Sequence, residues 1–173
     1  MAAELLSPTV ALTRYFVTPD QEHNLSGSAG VQRYGFRIGA CRLVHDLSLE
    51  VELIELPRCY DLPNSSAWFS GLVNLRGNLI PVFDLKSLLG ISGPTGYRQM
   101  LLVIGSGENV AALVIDGTPD HITIDAGGQV DQPDHVPEIL RDYLQGAYEY
   151  AGEIWYQVDY EGLFRSLAQR TAE

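Results

Sequence analysis

From Val31 onward the chain alternates short apolar bursts with clusters of Gly, Pro, Asn and Asp. Short apolar runs bounded by turn formers predict strands and not helices. "RYGFRIG", "RLVHDLSL" and "VELIEL" read as three strands of this kind. "LIPVFDL" reads as another, with Pro81, which has no N–H to give, confining it to a sheet edge or bulge. "MLLVIGSGENVAALVID" places two apolar runs around a short loop, the pattern of a hairpin. "NSSAWFSG" opens with a good capping residue and predicts a single helical turn holding Trp68 and Phe69. "DQPDHVPEILRDYLQG" reads as a loop carrying a short helix. Strand signals returning about every ten residues predict an all-β barrel or sandwich with a few short helices. Residues 1–30, ending in "NLSGSAG", read as a flexible tail with a short helix near Glu4 to Tyr15.

One internal repeat is stronger than any propensity. "GNLIPVFDLKSLL" (77–89) aligns with "GEIWYQVDYEGLF" (152–164) at an offset of 75 residues, Gly on Gly and Asp84 on Asp159. Leu79 falls on Ile154, Phe83 on Val158 and Leu88 on Leu163. Each copy reads as a strand running into an Asp that caps a short helix by accepting backbone N–H groups. Gly90 suits the far end of the first helix, where a left-handed residue stops the turn. Two related small barrels follow, each closed by one strand-and-cap unit.

Composition narrows the functional classes. Of the 173 residues 46% are apolar and 19% charged, and the net charge is −11, with 11 basic against 22 acidic side chains. Between Gln99 and Leu140 stand seven acids and no Lys or Arg. Such a surface repels phosphate backbones and anionic leaflets, so neither nucleic acid nor a membrane surface is an expected partner. No apolar run approaches the roughly 18 residues of a membrane span, and the N-terminus lacks a basic start followed by an apolar core. Direct membrane insertion and secretion are therefore not expected. Cys41 and Cys59 read as free thiols, buried or half-buried, in a reducing cytoplasm.

Candidate catalytic chemistry fails one motif at a time. "VIGSGENVAA" lacks a Gly or Ala at the third position of a dinucleotide fingerprint, where Val110 stands, and reads as a hairpin turn. His23, His45, His121 and His135 are scattered, with no metal-ligand spacing, and read as solvated residues. No Ser lies in a nucleophile elbow, and the single lysine, Lys86, follows no phosphate loop. Asp116 and Asp120 in "IDGTPD" can be drawn as an acid–base pair, but a turn after a strand is the plainer reading. No catalytic residue, metal or cofactor is expected, leaving a binding module or an enzyme whose groups converge only in space.

"GLVNLRGNLIPVFDLKSLLG" (71–90) closely resembles the central motif of the CheW family, the adaptors of bacterial chemosensory arrays. "YGFRIGACRLVHDLSLEVELIEL" is similar to that family's opening strands, "AALVIDGTPD" to its Val-Asp-Gly strand end, and "GEIWYQVDYEGLF" to its closing strand and helix. The resemblance implies a domain over 31–168, followed by a tail at 169–173. It implies two five-stranded Src-homology-type barrels around a shared hydrophobic core, and no enzymatic activity. It also implies a cytoplasmic adaptor with two partners, the cytoplasmic tip of a methyl-accepting chemoreceptor and a CheA-type histidine kinase. "AWFSGLVNLRGNLIPVFDL" resembles the PilI-like adaptors of type IV pilus systems that control twitching motility. The alternative is a stand-alone regulator of this family whose N-terminal tail binds a different signalling partner.

The resemblance also supplies candidate contacts. Arg76 matches the motif arginine that matters for signalling with receptor and kinase, and Asn74 precedes it in the motif. A buried guanidinium cannot shed its charge, so Arg76 either pairs with an internal carboxylate such as Asp84 or meets a partner's acceptor at a groove edge. Leu72 and the Trp68–Phe69 pair are candidates for an apolar patch, and Glu52 matches a glutamate on a partner-binding strand. Glu50 stands where the family commonly carries an aliphatic residue, which implies a dedicated partner set.

Overall fold

A computed structural model describes residues 30–92 and 96–171. The expected tail and its helix near Glu4 to Tyr15 lie outside the described residues, apart from Gly30. Among the described residues nine strands form: β1 (Val31–Ile38), β2 (Cys41–Asp46), β3 (Val51–Glu55), β4 (Phe69–Leu75), β5 (Asn78–Phe83), β6 (Gln99–Ile104), β7 (Ala111–Ile124), β8 (Leu144–Tyr150) and β9 (Glu153–Val158). Helices are few: α1 (Leu85–Leu89), α2 (Glu138–Arg141) and α3 (Tyr160–Thr171), with one 3-10 turn at Gly107–Asn109.

The long strand β7 serves two barrels. Its first half pairs with β6 and runs parallel to β5 through Val82↔Ala112 and Phe83↔Leu113. With β3 on β6 and β4 on β5, these five strands make one barrel. The second half of β7 pairs with β1, which pairs with β2, and β9 and β8 complete the other barrel. Val73, Ile80, Val82, Leu101 and Ala112 fill the β3–β6 barrel, and Val44, Ile122, Ile124 and Trp155 belong to the other. A third cluster lies between them: Phe36, Ile38 and Leu43 of one barrel meet Phe69, Phe83 and Leu113 of the other, with Leu163 and Leu167 of α3. Alternating strand residues thus face either a barrel interior or the shared core, which is why the strands carry apolar residues on both faces.

The repeat reaches further back than its sequence likeness. The backbone N–H of Asp84 donates to the Trp68 carbonyl at 2.7 Å, and that of Asp159 donates to the Tyr143 carbonyl at 2.8 Å. Phe69 faces Phe83 as Leu144 faces Val158, and both ladders slip before the next pair, at Gly71 and Gly146. Both hairpins turn on a left-handed pair, Arg76–Gly77 (φ 53° and 87°) and Ala151–Gly152 (φ 53° and 75°). The second strand of each then docks in parallel, β5 on β7 and β9 on β2. Gly71 is required: a Cβ there would lie 2.3 Å from the Tyr60 carbonyl oxygen, at φ 104°.

Two expectations are corrected. "NSSAWFSG" forms no helical turn: Asn64 is left-handed, and Phe69 already opens β4. Asp116 and Gly117 do not end a strand, since β7 runs on to Ile124. The helix after Asp159 is twelve residues long and ends at Thr171. Its buried face, Tyr160, Leu163, Phe164 and Leu167, packs on the shared core, because helical spacing sets these apolar residues in one stripe.

Candidate docking site

The β4–β5 hairpin tip presents the motif. Asn74 Oδ1 accepts from the Gly77 N–H at 2.9 Å, so Asn74 fastens the turn that raises Arg76. The guanidinium forks onto Glu52 of β3, Nη1 to Oε2 at 3.0 Å and Nη2 to Oε1 at 2.6 Å. The pair is exposed, at 73% for the Arg76 side chain and 34% for that of Glu52. It is a bidentate clasp between a hairpin turn and a strand of one barrel and not a buried pin. Asp84 is not its partner, as the sequence allowed: that carboxylate accepts from the N–H groups of Lys86 (2.9 Å) and Ser87 (3.2 Å) and from the Ser87 hydroxyl (2.7 Å). Asp159 caps α3 through the Gly162 N–H at 3.1 Å. Gly90 closes α1 at φ 61°.

The Arg76–Glu52 clasp stands on the wall of an open groove of ≈ 720 Å³, whose apolar lining includes Leu75, Ile80, Val103 and Val110. Glu50, exposed, lies in the same wall. Arg76, Glu52, Glu50 and Asn74 are therefore brought together. The apolar candidates are not. Phe69 is buried, with its ring centroid 5.7 Å from that of Phe83, and belongs to the shared core. Trp68 packs on Phe83 and carries the Arg170 guanidinium of α3 at 5.6 Å from its ring. Leu72 is half-buried between its cross-strand partners Tyr60 and Pro81 and packs against the shared core. Exposed apolar groups beside this hairpin include Tyr60 and Leu79, at 62% and 63%, which sequence reasoning passed over. Alternation along β5 contained the signal for Leu79, since it faces opposite to the buried Ile80.

Two ionisable residues that the sequence places in a turn and in solvent are buried elsewhere. Asp116 is 8% exposed, accepts from the Gly39 N–H at 2.7 Å and pairs with Lys86 at 2.8 Å. His45, expected in solvent, is buried on β2 with its Nδ1 2.8 Å from the Asp46 carbonyl oxygen. Burial lowers the His45 pKa, against the opposing pull of that hydrogen bond and of the Asp46 charge. Burial pushes the Cys41 thiol up to about 12, despite Arg42 nearby, and also raises Cys59. Neither sulfur is a poised thiolate. Among the described residues no group of three or more His, Cys, Asp or Glu is placed to hold a metal, and no helix is long and apolar enough to cross a membrane.

Residues 33–168 match the family model described as the CheW-like domain. The chain belongs to that family. Among curated relatives, Protein PilI of Pseudomonas aeruginosa is 26% identical over 133 residues, spanning 75% of this chain and 72% of its own. Chemotaxis protein CheW of Rhizobium meliloti is 23% identical over 147 residues, 84% of this chain and 94% of its own. The crystal structure of scaffolding protein TtCheW from Thermoanaerobacter tengcongensis superposes with a TM-score of 0.67 at 20% identity, covering 83% of this chain and 94% of that one. The twin barrels are thus the CheW fold, with the Asn-Leu-Arg-Gly motif at a hairpin tip.

Proposed function

We propose that this CheW-like domain is a non-enzymatic cytoplasmic scaffold that joins a methyl-accepting chemoreceptor tip to a CheA-type histidine kinase in a system controlling type IV pili. The supporting observation is the Arg76–Glu52 clasp on the wall of an apolar-lined groove, in a chain similar to both PilI and CheW. A scaffold acts by geometry: two faces on one rigid frame hold two partners at a fixed separation. Binding at one face alters the other partner only where its free energy differs between signalling states. Each contact is expected to be modest in area, with many weak contacts adding up in an array.

The test uses the full chain with the CheA-type kinase and receptor encoded in the same genome. Co-elution with both, and autophosphorylation that becomes receptor-dependent only when the chain is present, is the expected result. A chain that binds neither protein overturns the proposal. Binding to an unrelated signalling protein through residues 1–30 alone selects the stand-alone regulator.

A further inference from the structure

Asp116 stands where the two barrels meet. It is the last residue of β7 in register with β6, through Gln99, and the first in register with β1, through Arg37. Its neighbour Gly117 is left-handed at φ 77°, and the β1 ladder slips between Gly35 and Arg37 opposite this point. The strand therefore changes barrels on a bent, irregularly paired segment. Two elements converge on the Asp116 carboxylate carried by β7. Oδ2 accepts from the Gly39 N–H in the β1–β2 turn at 2.7 Å, and Oδ1 accepts from Lys86 Nζ of α1 at 2.8 Å. Gly39 belongs to one barrel, and Lys86 lies on the cap of the other.

We propose that the Gly39–Asp116–Lys86 contact fixes the relative orientation of the two barrels, and that Lys86 is a positioning residue for coupling between their docking faces. The shared core is apolar and non-directional, so it tolerates small rotations that keep its area buried. A charge-assisted contact at 2.7–2.8 Å from two directions does not. Buried ion pairs add little net stability against apolar replacements, and registry is their best-attested use. The chain's single lysine is spent on this contact. The consequence for signalling rests on the scaffold reading; the orientation itself does not.

Amide residual dipolar couplings of the weakly aligned full chain test the orientation. In the native chain one alignment tensor is expected to fit both barrels. In Lys86→Met and Asp116→Asn each barrel is expected to fit its own geometry while the two tensors diverge, and Lys86→Arg is expected to keep a single tensor. With receptor and kinase added, Lys86→Met is expected to lower receptor-dependent stimulation by about fivefold, the low end of ordinary coupling, while each binary Kd stays within about twofold. A single tensor in Lys86→Met overturns the proposal, whatever the kinase does. Should Asp116→Asn not fold, Lys86→Met decides alone. A native chain that binds no kinase refutes the scaffold reading, and the couplings still judge the contact.

Discussion

Replacing Arg76 separates its structural from its docking role, because the left-handed hairpin position gives Ala and Gly different stability costs. The clasp to Glu52 is bidentate but 73% exposed on the arginine side, so water and salt screen it. Exposed pairs contribute about 0.2–1 kcal/mol, and the forked geometry places this one near the top of that range. Arg76→Ala loses the pair yet keeps a Cβ at φ 53°, so a loss of about 1 kcal/mol is expected, or about 3 °C in Tm for a domain of this size. Arg76→Gly also loses the pair but escapes a left-handed cost of about 1–2 kcal/mol. Part of that gain, about 0.4–1 kcal/mol, is returned through the freer unfolded chain. Its stability should therefore lie at or above that of the Ala variant and close to the native value. Both variants should lose receptor-dependent kinase stimulation equally. Urea titration with an unchanged m-value, paired with an autophosphorylation assay, reads both quantities. A loss above about 2 kcal/mol in both variants would show a structural pin and refute the reasoning.

Three further outcomes follow from the same geometry. Asp84→Ala removes an acceptor serving two N–H groups and a hydroxyl and should cost about 1–2 kcal/mol, more than Asp159→Ala, whose cap takes one N–H; comparing urea midpoints decides the order. The folded-state pKa of His45 lies below the ordinary 6.5, so the unfolded chain binds the extra proton first. Its contribution should be fully present above 6.5 and fade as pH falls toward the folded value; an identical pH slope in His45→Gln would contradict this. Gly71→Ala drives a Cβ to 2.3 Å from the Tyr60 carbonyl at φ 104° and should cost more than about 2 kcal/mol or prevent folding, whereas a native-like melt would show the β4 path to be adjustable.

Much of the fold is legible because β1, β2, β3, β5, β6 and the start of β7 carry their own turn signals. β4 and β8 are not, and the reasons are specific. "NSSAWFSG" has a helix-start composition, but Ser66 accepts the Phe69 N–H in a tight turn, and pairing with β5 claims Phe69 for a strand. Tertiary pairing overrides the local preference. β8 hides behind the "PEILRDYL" helix signal, since only Ala147 is fully buried along it. Both strands were recoverable from the repeat. Carrying the 75-residue offset back from Gly77 and Gly152 sets "WFSGLVNLR" on "YLQGAYEYA", Gly on Gly, and predicts two equivalent hairpins. Similarity fades there because side chains face different neighbours, while backbone bonds to Trp68 and Tyr143 persist.

The site divides along the same line between local and distant information. Asn-Leu-Arg-Gly encodes its own conformation: Asn74 accepts from Gly77, and two successive left-handed residues make the mirror-image turn that joins twisted strands. A guanidinium at a two-residue hairpin tip is forced outward, so the exposure of Arg76 was deducible from its place before Gly77. Its partner was not. Asp84 is nearer in sequence, yet it lies one strand away and is engaged by α1. Glu52, 24 positions earlier, is brought across only when the barrel closes β3 beside the β4–β5 hairpin. Asp116 follows the same rule, since its two partners arrive from a turn 77 residues before it and a helix 30 residues before it. Residue type announces a charge that must be satisfied; closure of the barrels chooses what satisfies it. The contacts that tie the barrels together are thus the ones a linear reading is least able to assign.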